Sequence, residues 1–233
     1  MLRFAAPPFQ SLIPVFNPFV HSSSFSCPTM PDVSNKPRLI LASSSRYRRE
    51  LLERLRFPFE VISPDIDETP LDGEAPQATA VRLSIAKARA AAARVTDASG
   101  ALVIGSDQVA TCDGRQIGKP GTHDNARAQL QSMRGKSVEF HSALCLFDSR
   151  SDHIQCADIV TRVQFRDLTD AEIEAYLLAE TPYDVAGSAK SEGLGIALVD
   201  AIHSDDPTAL VGLPLIALSR MLRTAGFPLV EAL

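Results

Sequence analysis

Asp107 stands at the end of Gly105-Ser106-Asp107, which follows the continuous apolar run Ala101-Leu102-Val103-Ile104. An uninterrupted apolar run of this kind is the signature of a strand buried on both faces. A carboxylate just past such a strand stands where open α/β sheets place their ligands. It can hold a divalent cation or orient a water, although a plain turn also uses aspartate. Asp65-Ile66-Asp67-Glu68-Thr69 adds hard oxygen ligands on a loop, of the kind that Mg2+ and Mn2+ accept. Read alone, it is equally a solvated acidic loop.

Ser43-Ser44-Ser45-Arg46-Tyr47-Arg48-Arg49 falls at a strand-to-helix turn. Open backbone N–H groups, serine hydroxyls and the positive helix end converge there, which suits phosphate. Arg48, three residues after the expected cap Ser45, can lean back over the same anion with its planar fork. The competing reading is a capped amphipathic helix with solvated arginines. The segment lacks the glycines and lysine of a Walker P-loop, so that mechanism is excluded. Lys87 lies off the expected apolar stripe of its helix, and Lys119 lies in the turn Gly118-Lys119-Pro120. Each alone reads as a solvent-exposed lysine. The stretch from Ala186 to Gly195 has glycines that permit close backbone approach to a ligand.

Alternating strands and helices must position these groups. Leu39-Ile40-Leu41 reads as a buried strand, and Leu51, Leu52 and Leu55 mark the apolar face of the helix after it. Phe59 to Ile62 reads as a second strand. Val81, Ile85, Ala88, Ala92 and Val95 recur at helical spacing after the acidic loop. The strand at 101–104 leads to a turn-rich excursion over 112–121 and a helix over 123–134. A hairpin is expected at 137–147 and 156–166. Thr169-x-x-Glu172 is a capping box that opens a further helix. The last helix is expected over 208–224. The alternation predicts an α/β fold: a mixed sheet flanked by helices, in two lobes with a cleft between them.

Composition narrows the partners. The 233 residues carry 23 Lys and Arg against 28 Asp and Glu, a net charge of −5. That sign argues against duplex nucleic acid. It leaves room for a small anionic substrate in a local basic pocket. No apolar run is long enough to span a membrane as a helix. Cys27, Cys112, Cys145 and Cys156 form no C-x-x-C pair, which points away from a disulfide framework or a zinc site and toward a reducing cytoplasm. Residues 1–29 hold five of the 16 prolines and one charge, Arg3. The prolines interrupt the apolar stretch, so it makes a poor signal-peptide core. We expect 1–29 to be a disordered or mis-called extension, with Met30 as an alternative start, and 30–233 to be one domain.

Taken in order, the motifs resemble the Maf family of nucleotide pyrophosphatases. The matching pieces are Leu39 to Ser45 with Arg48, Arg49, Leu51 and Leu52, then Asp67-Glu68-Thr69, Lys87-Ala88 and Gly105-Ser106-Asp107-Gln108-Val109. Gly118-Lys119-Pro120, Ala186-Gly187-Ser188 and Val211-Gly212-Leu213-Pro214-Leu215 complete the set. The resemblance implies hydrolysis of a nucleoside triphosphate between its α and β phosphates with a divalent cation, Mg2+ or Mn2+. It implies phosphate contacts from Ser43, Ser45 and Arg48. Lys87 and Lys119 would offset charge. Asp107 and Glu68 would hold the metal, with Asp107 as general base.

Within the family, Tyr47, Gln108 and Glu192 resemble the branch acting on 7-methyl-GTP rather than the one acting on dTTP and UTP. A 7-methylated guanine is cationic. Glu192 would accept hydrogen bonds from it, and Tyr47 would stack on it. Tyr47 is also in line with Leu51 and Leu55, which would instead place it in the core. Arg46 stands where many family members have proline. The alternatives left open are dTTP and UTP or another non-standard nucleotide as substrate, and a nucleotide-binding regulator with little turnover. A homodimer is also left open.

Overall fold

The computed structural model describes residues 38–96 and 100–229. The expectation for residues 1–29 lies outside the described residues.

A seven-stranded sheet runs in the order β2-β1-β3-β5-β6-β7, with β4 on the β3 edge. The strands are β1 (Arg38–Ala42), β2 (Glu60–Val61), β3 (Ala101–Cys112), β4 (Arg115–Ile117), β5 (Ser137–Asp148), β6 (His153–Phe165) and β7 (Val199–His203). β2, β1 and β3 are parallel, and every later pairing is antiparallel. The helices are α1 (Arg46–Glu53), α2 (Pro76–Ala92), α3 (His123–Met133), α4 (Asp170–Glu180) and α5 (Leu215–Thr224). No helix among the described residues is long and apolar enough to cross a membrane.

Strand alternation sorts the core. Leu102, Ile104, Leu144 and Leu146 face α1 and α5. Farther along the same face, Ala110, Cys112, Val138 and Phe140 meet α3 and α4. The opposite face carries Ala101, Val103, Cys145 and Phe147 against Ala88 and Ala91 of α2. The long strands therefore bear two apolar packings on one face and α2 on the other.

Three elements differ from the sequence expectation. First, β3 does not stop at Asp107 but continues to Cys112, because β5 pairs with it without interruption from Leu102 to Cys112. Second, the buried face of α2 is Ala80, Leu83, Ser84, Lys87, Ala88 and Ala91, rotated from the expected stripe. Gly105 explains the rotation: a Cβ there would lie 2.0 Å from the Ser84 carbonyl oxygen and 2.9 Å from Ala88. The helix approaches the strand closely over small residues, and larger aliphatics move aside. Third, α5 begins at Leu215 and not near 208. Gly212 has φ +115, a conformation other residues rarely adopt, and Pro214 follows at the helix entrance. Asp206 caps α5 from upstream: its Oδ2 accepts from the amides of Ile216 at 2.7 Å and Ala217 at 3.2 Å.

Candidate active site

The parallel register of β1 with β3 ends at Ala42 and Gly105. β4 takes up the same side of β3 only at Ala110. The edge of β3 over 106–109 thus has no strand beside it, and a cavity of about 440 Å3 opens there. That size suits a small molecule.

One wall is the turn into α1. Ser45 is its N-cap, and the Ser45 hydroxyl accepts from the Arg48 amide at 3.4 Å. The buried Ser43 hydroxyl accepts from the Ser45 amide at 3.1 Å. The half-buried Arg48 side chain donates through Nε to the Gly212 carbonyl at 2.8 Å, and its guanidinium lines the cavity. Burial pushes Arg48 down from its ordinary value, and the carboxylates of Asp107 and Glu68 act in the opposite sense. An arginine stays charged regardless. This wall therefore presents hydroxyls, a helix N-terminus and a cation, the partners an anion needs.

The facing wall is an ion triad. Lys87 Nζ lies 2.7 Å from Asp107 Oδ1 and 2.9 Å from Glu68 Oε1. The Lys87 and Asp107 side chains are only 6% and 8% exposed, whereas Glu68 is 56% exposed. The expectation that Lys87 is a solvent-facing lysine is corrected. An ammonium in the interior is costly unless paired, and two carboxylates offset its desolvation. The Glu68 loop is tied to α2 by Arg82, which bonds Glu74 at 2.7 Å and the Thr69 carbonyl at 3.2 Å. The Arg82 hydrogen bond, with help from the Leu71 amide and the Thr79 hydroxyl, lowers Glu74 from the usual 4.5 to about 2.

The floor is a polar gap between the two apolar packings. Ser106 donates to the carbonyls of Ala143 at 3.0 Å and Gly212 at 2.9 Å. The Gln108 amide donates to Ser142 at 2.9 Å and to the carbonyls of Ala209 at 3.1 Å and Leu210 at 3.0 Å. Both residues pin the 206–214 loop to the sheet, and Gln108 also lines the cavity.

Lys119 lines the cavity from its turn, which α3 holds through Gln129 and Asn125. Tyr47 also lines it and is half-buried rather than part of the core. Glu192 does not join the others. It is exposed, accepts from the neighbouring Ser191 hydroxyl at 3.5 Å, and lies outside the cavity lining. Ser43, Ser45, Tyr47, Arg48, Glu68, Lys87, Asp107, Gln108 and Lys119 all line the one cavity, whereas Asp65, Asp67 and the glycines from Gly187 to Gly195 do not.

A family model described as Maf-like protein matches residues 38–225. The chain belongs to the Maf family. It is 76% identical over 201 residues to the 7-methyl-GTP pyrophosphatase of Burkholderia thailandensis, covering 86% of this chain and 94% of the relative. A protein of that name from Paraburkholderia xenovorans is 74% identical over 204 residues, 87% of this chain and 100% of the relative. Another from Cupriavidus pinatubonensis is 68% identical over 196 residues, 84% of this chain and 97% of the relative.

One contributor to this Maf-family site was missed in the sequence: Asp184 lines the cavity and accepts from the Tyr47 hydroxyl at 3.2 Å. The Gly212 motif is visible in the sequence, but not that its carbonyl accepts from both Arg48 and Ser106. Asp184 lies two residues before the Ala186-Gly187-Ser188 turn, where Gly187 (φ +75) and the buried Ser188 (φ +53) are both left-handed. A non-glycine residue held there is uncommon and clusters at functional sites. The short stretch Tyr183-Asp184-Val185 carries no pattern that would have drawn attention to it.

Proposed function

We propose that this chain is a hydrolase acting on a phosphoric anhydride: it cleaves 7-methyl-GTP between the α and β phosphates. Water attacks the α phosphorus, the bridging oxygen leaves with pyrophosphate, and 7-methyl-GMP remains. The observation that carries the chemistry is the Asp107–Lys87–Glu68 triad facing the Ser43–Ser45 helix entrance and Arg48 across one cavity. The name borne by its relatives supports the choice of substrate.

The phosphates lie over Ser43 and Ser45 and are gripped by Arg48. Lys119 at the rim and Lys87 at the wall offset their charge, which is the principal catalytic need in phosphoryl transfer. Asp107 has one oxygen on Lys87 and directs its carboxylate at the water, whose proton it accepts. Its burial and its lysine keep it in one orientation.

The residues fit a divalent cation that relies on the substrate. Asp107 and Glu68 oxygens already converge on one positive centre, the Lys87 ammonium. Among the described residues no group of three or more His, Cys, Asp or Glu could hold a metal, and Mg2+ commonly takes one or two carboxylates with phosphate oxygens and waters. When bound, Mg2+ or Mn2+ would polarise the phosphoryl oxygens and acidify a bound water. A diffusible nucleotide substrate suits a cytoplasmic enzyme that works without nucleic acid or membrane.

The test is pyrophosphate release from 7-methyl-GTP, GTP, UTP, dTTP, CTP and ITP with Mg2+ or Mn2+. The expected leader is 7-methyl-GTP. UTP or dTTP in the lead would retain the chemistry and replace the substrate. No turnover by the folded protein would turn the reading into that of a nucleotide-binding regulator.

A further inference from the structure

Gln129 of α3 lies outside the cavity lining, yet both ends of its amide are bonded to turns that reach the cavity. Its Nε2 donates to the Gly118 carbonyl at 3.0 Å, and its Oε1 accepts from the Ser188 hydroxyl at 2.6 Å. The first bond holds the turn that carries Lys119. The second holds the Ala186–Ser188 turn, whose Ala186 lines the same cavity as Lys119.

Ser188 is fully buried at φ +53, a backbone conformation that persists only where its surroundings hold it. A Cβ on the preceding Gly187 would come within 3.2 Å of Phe140 Cζ. The turn is therefore pressed against the sheet, with the Ser188 hydroxyl aimed at Gln129. The Lys119 turn is held on two sides. After Lys119, the Pro120 carbonyl accepts from Asn125 Nδ2 at 2.9 Å, and the Gly121 amide donates to the Tyr183 carbonyl at 3.1 Å. Before Lys119, the Gly118 carbonyl rests on Gln129. Between the two turns, α3 is the fixed body, seated on the sheet by Ala126, Leu130 and Met133. A lysine ammonium rides on a flexible four-carbon stem, so its position depends on how firmly its backbone is fixed. A carboxamide suits the place of Gln129 because it donates at one end and accepts at the other.

We propose that Gln129 is a positioning residue for Lys119. It joins the Lys119 turn and the 186–188 turn into one rim. The ammonium is then in place when charge grows on the departing pyrophosphate. The inference rests on the phosphate chemistry proposed for this cavity and deepens it. Gln129 acts through Lys119 and touches no substrate atom itself.

The test is a double-mutant cycle on the full chain. Gln129→Met removes both bonds with little change in side-chain length. Gln129→Glu keeps the acceptor for Ser188 and loses the donor to Gly118. Each is made alone and together with Lys119→Ala. Steady-state kcat and KM are measured with 7-methyl-GTP. Affinity for inorganic pyrophosphate is measured by calorimetry. Both are done at a temperature where unfolding curves show every variant folded. Lys119→Ala alone should lower kcat and pyrophosphate affinity. Gln129→Met and Gln129→Glu should each lower kcat by roughly 10-fold and change KM by less than about 3-fold, within the reach of an ångström-scale misplacement. Each should weaken pyrophosphate by about 3-fold for the same reason. Without Lys119, the same two changes should move kcat and pyrophosphate affinity by less than about 2-fold.

Three results would overturn the inference. Equal losses with and without Lys119 would make Gln129 a support of the fold and not of the lysine. A Gln129→Glu variant with the kcat of the unaltered chain would leave the Gly118 bond without effect. A Lys119→Ala variant with unchanged kcat and pyrophosphate affinity would leave Gln129 nothing to position. The hydrolysis reading fails separately, if the unaltered chain releases no pyrophosphate from any nucleotide. The cycle in pyrophosphate affinity then still decides whether Gln129 acts through Lys119.

Discussion

Along the same three long strands, the α1–α5 half and the α3–α4 half meet the burial problem in opposite ways. In the α3–α4 half, Leu130, Met133, Phe165, Ile173 and Leu177 close into an apolar cluster without a buried charge. Its helices end in ordinary caps, such as the Thr169–Glu172 capping box. In the half that carries β1, the strand pairing stops short, and the opening is filled with Ser43, Arg48, Lys87 and Asp107. The lesson is that the site forms where β3 loses its parallel neighbour. Backbone and side-chain polar groups there are left for a ligand to satisfy.

That contrast predicts where activity and stability separate. Asp107→Asn removes the proposed base while keeping its shape. The kcat should fall by roughly 10²–10⁴-fold with circular dichroism unchanged; near-normal kcat would remove Asp107 from the mechanism. Leu130→Ala, in the other half, should lower unfolding free energy by about 2–5 kcal/mol in a denaturant titration and leave kcat within a few-fold. A parallel loss of kcat at temperatures where the variant is folded would mean the halves are not separable.

The two N-caps sharpen the comparison at a smaller scale. Ser45→Ala and Thr169→Ala each delete a hydroxyl that accepts from a backbone amide. Each should cost about 1 kcal/mol of stability. Only Ser45→Ala should also raise KM, because its hydroxyl faces the proposed phosphates. The smallest effect concerns acid. The Arg82 hydrogen bond, assisted by Leu71 and Thr79, holds Glu74 at about 2 rather than the usual 4.5. Its stabilising contribution is complete above the unfolded value and is lost as pH falls from about 4.5 toward 2. Glu74→Gln should therefore flatten the acid limb of a stability-against-pH curve, and an unchanged limb would show that the Glu68 loop is held by other contacts.

Much of this was legible in the residues. The Ser45 cap, the Thr169 capping box and the β5–β6 hairpin follow from local chemistry that tertiary contacts did not override. Most of the site was legible too, as strand ends and turns whose side chains had no evident core role. Lys87 was misread because helical periodicity counts apolar residues, and a buried ammonium on the packed face breaks that pattern. The length of β3 was misread because Gly105-Ser106-Asp107 looks like a turn when its β5 partner is unknown. Asp184 was missed because nothing in Tyr183-Asp184-Val185 is periodic or glycine-rich. The cross-strand placement of Cys145 opposite Cys156 was equally invisible, since it depends on the register of two strands.

By itself, the sequence determined the order of strands and helices, the caps, and the set of charged and hydroxyl groups available for phosphate chemistry. These depend on contacts within a few residues, where spacing and side-chain type suffice. Only the tertiary structure decided which of those groups face one another. The approach of α2 to Gly105 is set by packing between segments about twenty residues apart, and it is this approach that brings Lys87 onto Asp107. The meeting of Tyr47 with Asp184 spans 137 positions of the chain. It depends on how the sheet places the two turns, which no local pattern encodes.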